Sequence, residues 1–379
     1  MKTYDKLERY IDSLIKKSTP QHPFFNVSQG KRFPNNKWDY SCGCMTYAFI
    51  LMYRQTHDKK YLNFLNEWCD YYVADDGTLK GYKLEHYSTD DVSQSRILFD
   101  MYEFTKKEKF LKAIDKSFVQ FEKHPRTSAG SFFHKKVYQH QVWLDGLYMF
   151  QPLYARCLTH YGKQELYDDI MLQFRNCRKF LFNNEQKLYY HGYDESKSMF
   201  WADKKTGLSP HVWLRAVGWL AAAIVDSAYF MDNEAFQKEL GKLLQELVDG
   251  MLPHQHSSNL FFDIVNMPNT INNYLETSGS ALIAYSILKG VNMGIIPSNY
   301  WQKGIEIFDS IYENMLIETG NETSLIRITE VSGLGPNDNL RRDGSYQYYM
   351  SEPIISNDAK GAGPFIWAYA EILKKDSKK

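Results

Sequence analysis

The sequence predicts an all-α fold: a closed (α/α)6 toroid of six helical hairpins, with short strand-like connectors gathered on one face. Three observations predict it. A phrase recurs, since Met52-Tyr53-Arg54-Gln55-Thr56-His57-Asp58-Lys59-Lys60-Tyr61 returns as Met101-Tyr102-Glu103-Phe104-Thr105-Lys106-Lys107-Glu108-Lys109-Phe110, with looser versions from Leu153 to Tyr167 and from Ala228 to Phe236. Each copy closes one helix and opens the next, so the repeated unit is a helical hairpin with a period of roughly 50 residues. Helices that begin Gly43-Cys44-Met45, Ala216-Val217-Gly218 or Ser278-Gly279-Ser280-Ala281 are rich in small residues and poor in charge, as inner helices crowded on both sides should be. Their partners at 59–74, 107–123 and 233–251 carry Lys and Glu along one face and belong outside.

Taken in order, the 3.6-residue periodicity places helices near 3–18, 41–56, 59–74, 91–106, 107–123, 145–161, 163–182, 212–231, 233–251, 276–292, 298–317 and 362–375. The first carries Tyr4, Leu7, Tyr10, Ile11, Leu14 and Ile15 among charges; it lacks the unbroken apolar core of a secretory signal. The helix at 145–161 has its apolar face in Leu147, Met149, Pro152, Leu153 and Ala155. Strand-like connectors follow at 78–83, 131–138, 187–193, 260–265 and 325–329. Each hands the chain to the start of an inner helix, where unpaired N–H groups and the helix dipole favour negative charge. A pocket for an anionic sugar is expected on that face.

Residues 1–379 read as one domain, because no Pro/Gly/Ser-rich linker or charge shift divides them. Lys plus Arg equals Asp plus Glu at 45 each, so no global field draws the protein to nucleic acid or to an anionic membrane. No apolar run reaches the roughly 20 residues that span a bilayer. Five scattered cysteines argue against a disulfide framework and for a reducing compartment, with the cytoplasm as the default. Cys42-Gly43-Cys44 lacks the spacing of a zinc site, and His254-Gln255-His256 lacks an evident third ligand, so neither a metal nor a cofactor is expected. The aromatic content of 16% suits a cleft where rings stack on sugar faces, though most of those rings must be core.

The run from His134 to Gly146 brings a carboxylate, Asp145, to the start of a helix among aromatic and basic groups. Tyr40, Asp90, Asp91, Lys135, His191, Trp213, Arg215 and Trp219 fall at comparable junctions. Each has an ordinary explanation alone: a helix cap for the aspartates, surface for Lys135, a satisfied loop histidine, a structural ion pair for Arg215, core for the tryptophans. Their convergence on one face is the argument for chemistry.

With these residues in view, the chain resembles the unsaturated rhamnogalacturonyl hydrolases, glycoside hydrolase family 105, and more distantly the unsaturated glucuronyl hydrolases of family 88. The resemblance rests on Gln141-Val142-Trp143-Leu144-Asp145-Gly146-Leu147-Tyr148-Met149, Trp213-Leu214-Arg215-Ala216-Val217-Gly218-Trp219, Glu276-Thr277-Ser278-Gly279-Ser280-Ala281, Asp343-Gly344-Ser345-Tyr346 through Glu352-Pro353, and Asn357 to Phe365. It implies an enzyme that removes the 4,5-unsaturated uronic acid left by polysaccharide lyases, with Asp145 and Asp90 catalytic and Tyr40, Lys135, His191, Trp213, Arg215 and Trp219 lining the sugar site. The implied mechanism protonates C4 of an enol ether and adds water at C5, so one carboxyl group must act first as acid and then as base. Lys135, Arg215 or both would take the substrate carboxylate or its ring hydroxyls, and Trp213 and Trp219 would form a stacking wall. Many family members carry Arg-Gly-Asn-Gly-Trp where this chain has Arg215-Ala216-Val217-Gly218-Trp219, which removes a polar group near the expected pocket. The implied partner is an unsaturated uronic-acid oligosaccharide, of rhamnogalacturonan type or from ulvan, arabinogalactan or glycosaminoglycans. Two competing readings are a sugar epimerase on the same toroid, which would need a histidine proton carrier such as His191 or His211, and a non-catalytic oligosaccharide-binding protein.

Overall fold

The computed structural model describes residues 3–31 and 36–377. Among these residues, six inner helices alternate along the chain with six outer ones. α1 (Asp5–Lys16) is outer, followed by α2 (Tyr40–Thr56, inner) and α3 (Lys59–Tyr72, outer). The inner α4 is built from three pieces, Thr89–Ser93, Gln94–Ile97 and Leu98–Thr105, and is followed by the outer α5 (Lys109–Lys123). Then come α6 (Leu144–His160), α7 (Tyr167–Leu181), α8 (Leu214–Phe230), α9 (Glu234–Met251), α10 (Thr277–Asn292), α11 (Tyr300–Asn314) and α12 (Ala359–Asp376). Inner helices pack in sequence, α2 on α4, α4 on α6 and so on, until α12 packs on both α10 and α2 and closes the ring.

Burial follows this division. Every residue of α8 from Leu214 to Ala228 is buried, whereas α5 and α9 bury one stripe each. Small residues let the inner helices approach: a Cβ on Gly279 would fall 2.4 Å from Leu214 Cγ, and one on Gly218 would fall 2.7 Å from Leu282 Cβ. The five cysteines are free and buried. No helix among the described residues is long and apolar enough to cross a membrane.

The expected connectors are only partly strands. The stretches 78–83 and 131–138 make isolated bridges, Leu79 to Val73 and Lys135 to Ser88. The others contribute to short antiparallel pairs, among them Gln141–Trp143 with Gly192–Asp194, Phe261–Phe262 with Leu275–Glu276, and Ile328–Thr329 with Ile354–Ile355. One device repeats around the ring: the first N–H of an inner helix donates to a carbonyl of the next hairpin's connector. Thr89 donates to His134, Leu144 to His191, Leu214 to Asp263 and Thr277 to Arg327, at 2.8–3.3 Å. These bonds satisfy helix N–H groups that would otherwise lack partners. They also bring connector side chains against helix starts, which assembles the site.

Candidate active site

Asp145 is the second residue of α6, and the preceding Trp143 provides no side-chain cap. Its Oδ2 lies 3.2 Å from Nε2 of His191, but the approach is not aligned as a hydrogen bond, and both atoms are buried without a hydrogen-bond partner. The other ring nitrogen, Nδ1, is 2.7 Å from the Tyr349 hydroxyl. Asp145, His191 and Tyr349 therefore form a chain from the helix start to the segment Tyr346–Ser351. Trp143 covers it from the side, its ring 5.6 Å from that of His191 and stacked at 4.4 Å on His134.

Asp90 opens α4 and is held by Lys135, with Nζ 2.5 Å from Oδ2, and by His134, with Nε2 3.8 Å from Oδ1. Burial raises the Asp90 carboxyl, yet Lys135 and then His134 more than offset it, so the group sits below its ordinary range. Burial lowers Lys135, but Asp90, with help from Tyr138 and Asp91, more than offsets it, so the ammonium is raised. Burial pushes His134 down to about 4, with Asp90 and Asp145 opposing only in part. His134 is thus neutral near pH 7 and stands between the two carboxyl groups. Gly146 makes room for it, since a Cβ there would fall 3.0 Å from His134 Nδ1. The neighbouring Asp91 faces Lys37 and His86 instead, at 3.9 and 3.7 Å.

Tyr40 begins α2, half-buried, in an edge-to-face contact with Trp219, ring centres 6.4 Å apart. Its hydroxyl is raised by burial and then by Asp90. Arg215 is buried, and its Nη1 donates to the Thr329 carbonyl at 2.5 Å and to Ser278 Oγ at 3.4 Å. Trp213 Nε1 donates to Asp263 Oδ1 at 3.1 Å, and burial followed by Glu276 pushes Asp263 up to about 7.

The stacking wall expected of Trp213 and Trp219 is not displayed. Each is 1% exposed: Trp213 lies between His191 and Tyr349, and Trp219 lies flat on Tyr148. They form the floor beneath the site because each ring belongs to an inner helix end already crowded by its neighbours. Val217, where the resemblance leads one to expect asparagine, is likewise fully buried. Tyr40, Asp90, Lys135 and Asp145 keep partial exposure. His134 and Tyr349 were not singled out from the sequence. His134 opened the informative run, but nothing in local spacing joins Tyr349 to a histidine 158 positions away.

A cavity of about 740 Å³ lies at the other end of the ring, lined in part by Arg54, Glu103, Arg156, Lys289 and Lys374. Those cations stand at the C-terminal ends of inner helices, where they complement the dipole and pair with acids. The unpartnered carboxyl and histidine atoms lie at the opposite end.

The family model for Glycosyl Hydrolase Family 88 matches residues 10–375. The chain belongs to this glycoside hydrolase family. A solved family 105 glycoside hydrolase from C. acetobutylicum ATCC 824 is 36% identical, with a TM-score of 0.89 over 99% of this chain and all of that one. Protein Atu3128 of Agrobacterium fabrum is 36% identical over 217 residues, 56% of this chain and 93% of its own length. An unsaturated glucuronyl hydrolase specific for heparin shares the fold alone, at 11% identity and a TM-score of 0.70 over 99% of this chain and 96% of that one. As a family 88/105 member the chain is a glycoside hydrolase on a six-hairpin toroid, and its substrate is an oligosaccharide.

Proposed function

We propose that this glycoside hydrolase removes a 4,5-unsaturated uronic acid from the non-reducing end of lyase-generated oligosaccharides, with rhamnogalacturonan-type fragments preferred. The observation that carries the reading is the pairing pattern of the two carboxyl groups. Asp90 is fastened to Lys135 and stays anionic, while among the described residues Asp145 meets a histidine and no permanent cation. A proton donor must be free of such a cation, and a charge-stabilising carboxylate need not be.

In the proposed reaction Asp145 gives its proton to C4 of the enol ether, and positive charge develops at C5. Water adds there as its proton returns to Asp145, with Asp90 stabilising the charge. The resulting hemiketal opens to a C5 ketone, and the acetal carbon, now a hemiacetal, expels the remaining sugar. His191, steadied by Tyr349, is a positioning residue for Asp145. Both carboxyl groups of a direct glycosidase would act on the glycosidic oxygen and anomeric carbon; here neither needs to. The preference for rhamnogalacturonan fragments draws on the resemblance to family 105.

The test follows absorbance of the conjugated double bond in unsaturated disaccharides from rhamnogalacturonan, ulvan, arabinogalactan and glycosaminoglycan digests. The band should disappear fastest with the first. Asp145→Asn should lower turnover on the best substrate by at least ~10³-fold. A variant with near wild-type turnover would remove Asp145 from its role.

A further inference from the structure

The cations expected to meet the substrate carboxylate are already engaged. Lys135 is held by Asp90, Arg215 gives its Nη1 to Thr329 and Ser278, and Lys37 stands within 4.0 Å of Asp39 and Asp91. A different cation stands at the same mouth. Arg342 is half-buried on the loop between the strand Ile328–Thr329 and the helical turn Tyr346–Ser351. Its neighbour Arg341 is paired with Glu352 at 2.8 Å, but the Arg342 guanidinium has no hydrogen bond or ion pair among the described residues.

The loop presses this unpaired fork against the site. A Cβ on Gly333 would lie 3.1 Å from Arg342 Nη1 and 3.4 Å from Trp143 Cζ3, so the guanidinium and the indole meet across the bare face of this glycine. Leu334, Met199 and Trp201 cluster on the same tryptophan. Beside Gly333, Ser332 Oγ is buried without a partner, as are Asp145 Oδ2 and His191 Nε2 behind Trp143. Buried polar atoms are almost always partnered in folded proteins. The orphaned Asp145 and His191 atoms near Trp143, with an unpaired arginine at the rim of that indole, mark where a polar, anionic ligand completes the bonding.

We propose that Arg342 is a specificity-determining residue whose guanidinium binds the carboxylate of the unsaturated uronic acid. This rests on the reading of the reaction given above. A guanidinium offers a planar fork that matches a carboxylate. The carboxylate is attached to C5, the carbon that becomes positive, so pairing it with a cation does not favour the transition state over bound substrate. The contribution is uniform binding, which appears in KM and leaves kcat nearly unchanged.

The experiment compares wild type, Arg342→Gln and Arg342→Lys on the unsaturated disaccharide that turns over best and on its uncharged methyl ester. For the free acid, Arg342→Gln should raise KM about 10- to 100-fold with kcat held within about threefold, and Arg342→Lys should recover part of the loss. For the methyl ester, wild type and Arg342→Gln should have the same KM. An unchanged KM on the acid, or an equal rise on acid and ester, overturns the assignment while leaving the reaction intact. A wild-type enzyme that consumes no unsaturated uronide overturns the reaction and the assignment with it.

Discussion

Lys135 and Asp90 keep each other charged where burial would neutralise either one alone. The pair is partly screened, with side chains 25% and 15% exposed, so its worth lies in fixing charge states more than in stability. The direction of the effect can be tested. Native Asp90 stays ionised to a pH below the usual carboxylate range, and replacing Lys135 by Met removes the cation while leaving the burial. The Asp90 carboxyl should then rise, and the acid limb of kcat/KM should move to higher pH by about one unit or more. An unshifted limb would mean that Asp90 does not govern it. At this scale the sequence was most informative where contact follows chain order. Asp145, Trp143, Lys135 and His134 belong to one run, so their proximity was legible. The His191–Tyr349 contact and the Arg342–Gly333–Trp143 contact join distant segments, and no periodicity encodes them.

The helices were legible because each buries a continuous stripe, and all twelve expected helices are present with ends shifted by a few residues. The clearest difference is α4, expected as 91–106. It starts earlier, at Thr89, because Ser88 accepts a hydrogen bond from the Asp91 N–H, and it tightens at Gln94–Ile97 where α2 presses on it, a Cβ on Gly43 falling 3.3 Å from Gln94 Cα. The hairpin Leu316–Thr319 with Glu322–Leu325 and the turn Tyr346–Ser351 went unrecognised as elements, being too short to show a period. Small residues on inner helices carry a testable consequence. Gly279→Ala would drive a methyl group into Leu214 and the Arg215 backbone. It should cost about 1–3 kcal/mol by urea denaturation, an overpacking penalty that outweighs alanine's better helix propensity. A variant as stable as wild type would show that α8 and α10 can separate at no cost.

The whole ring depends on its last helix. α12 lies between α10 and α2 and buries Phe365, Ile366 and Trp367, with the indole N–H bonded to the Cys44 carbonyl at 2.9 Å. Removing residues 359–379 should therefore leave two inner helices exposed and abolish the cooperative thermal transition; a truncated chain that still melts cooperatively would show that the ring closes without it. Closure also explains why the site could be placed from sequence at the level of a face. Connector carbonyls dock on successive helix starts, so His134, His191 and Asp263 must gather at one end wherever the ring is complete. Which atoms then meet depends on loops such as 332–344, whose path follows from tertiary packing. The central claim, hydration of a double bond in place of direct glycosidic cleavage, is tested most directly by replacing the glycosidic oxygen of the best substrate with sulfur. Because the double bond is hydrated before that atom is protonated, the sulfur-linked substrate should lose its double-bond absorbance with a kcat within about tenfold of the oxygen-linked one. A sulfur-linked substrate left intact while its oxygen counterpart is consumed would contradict the account.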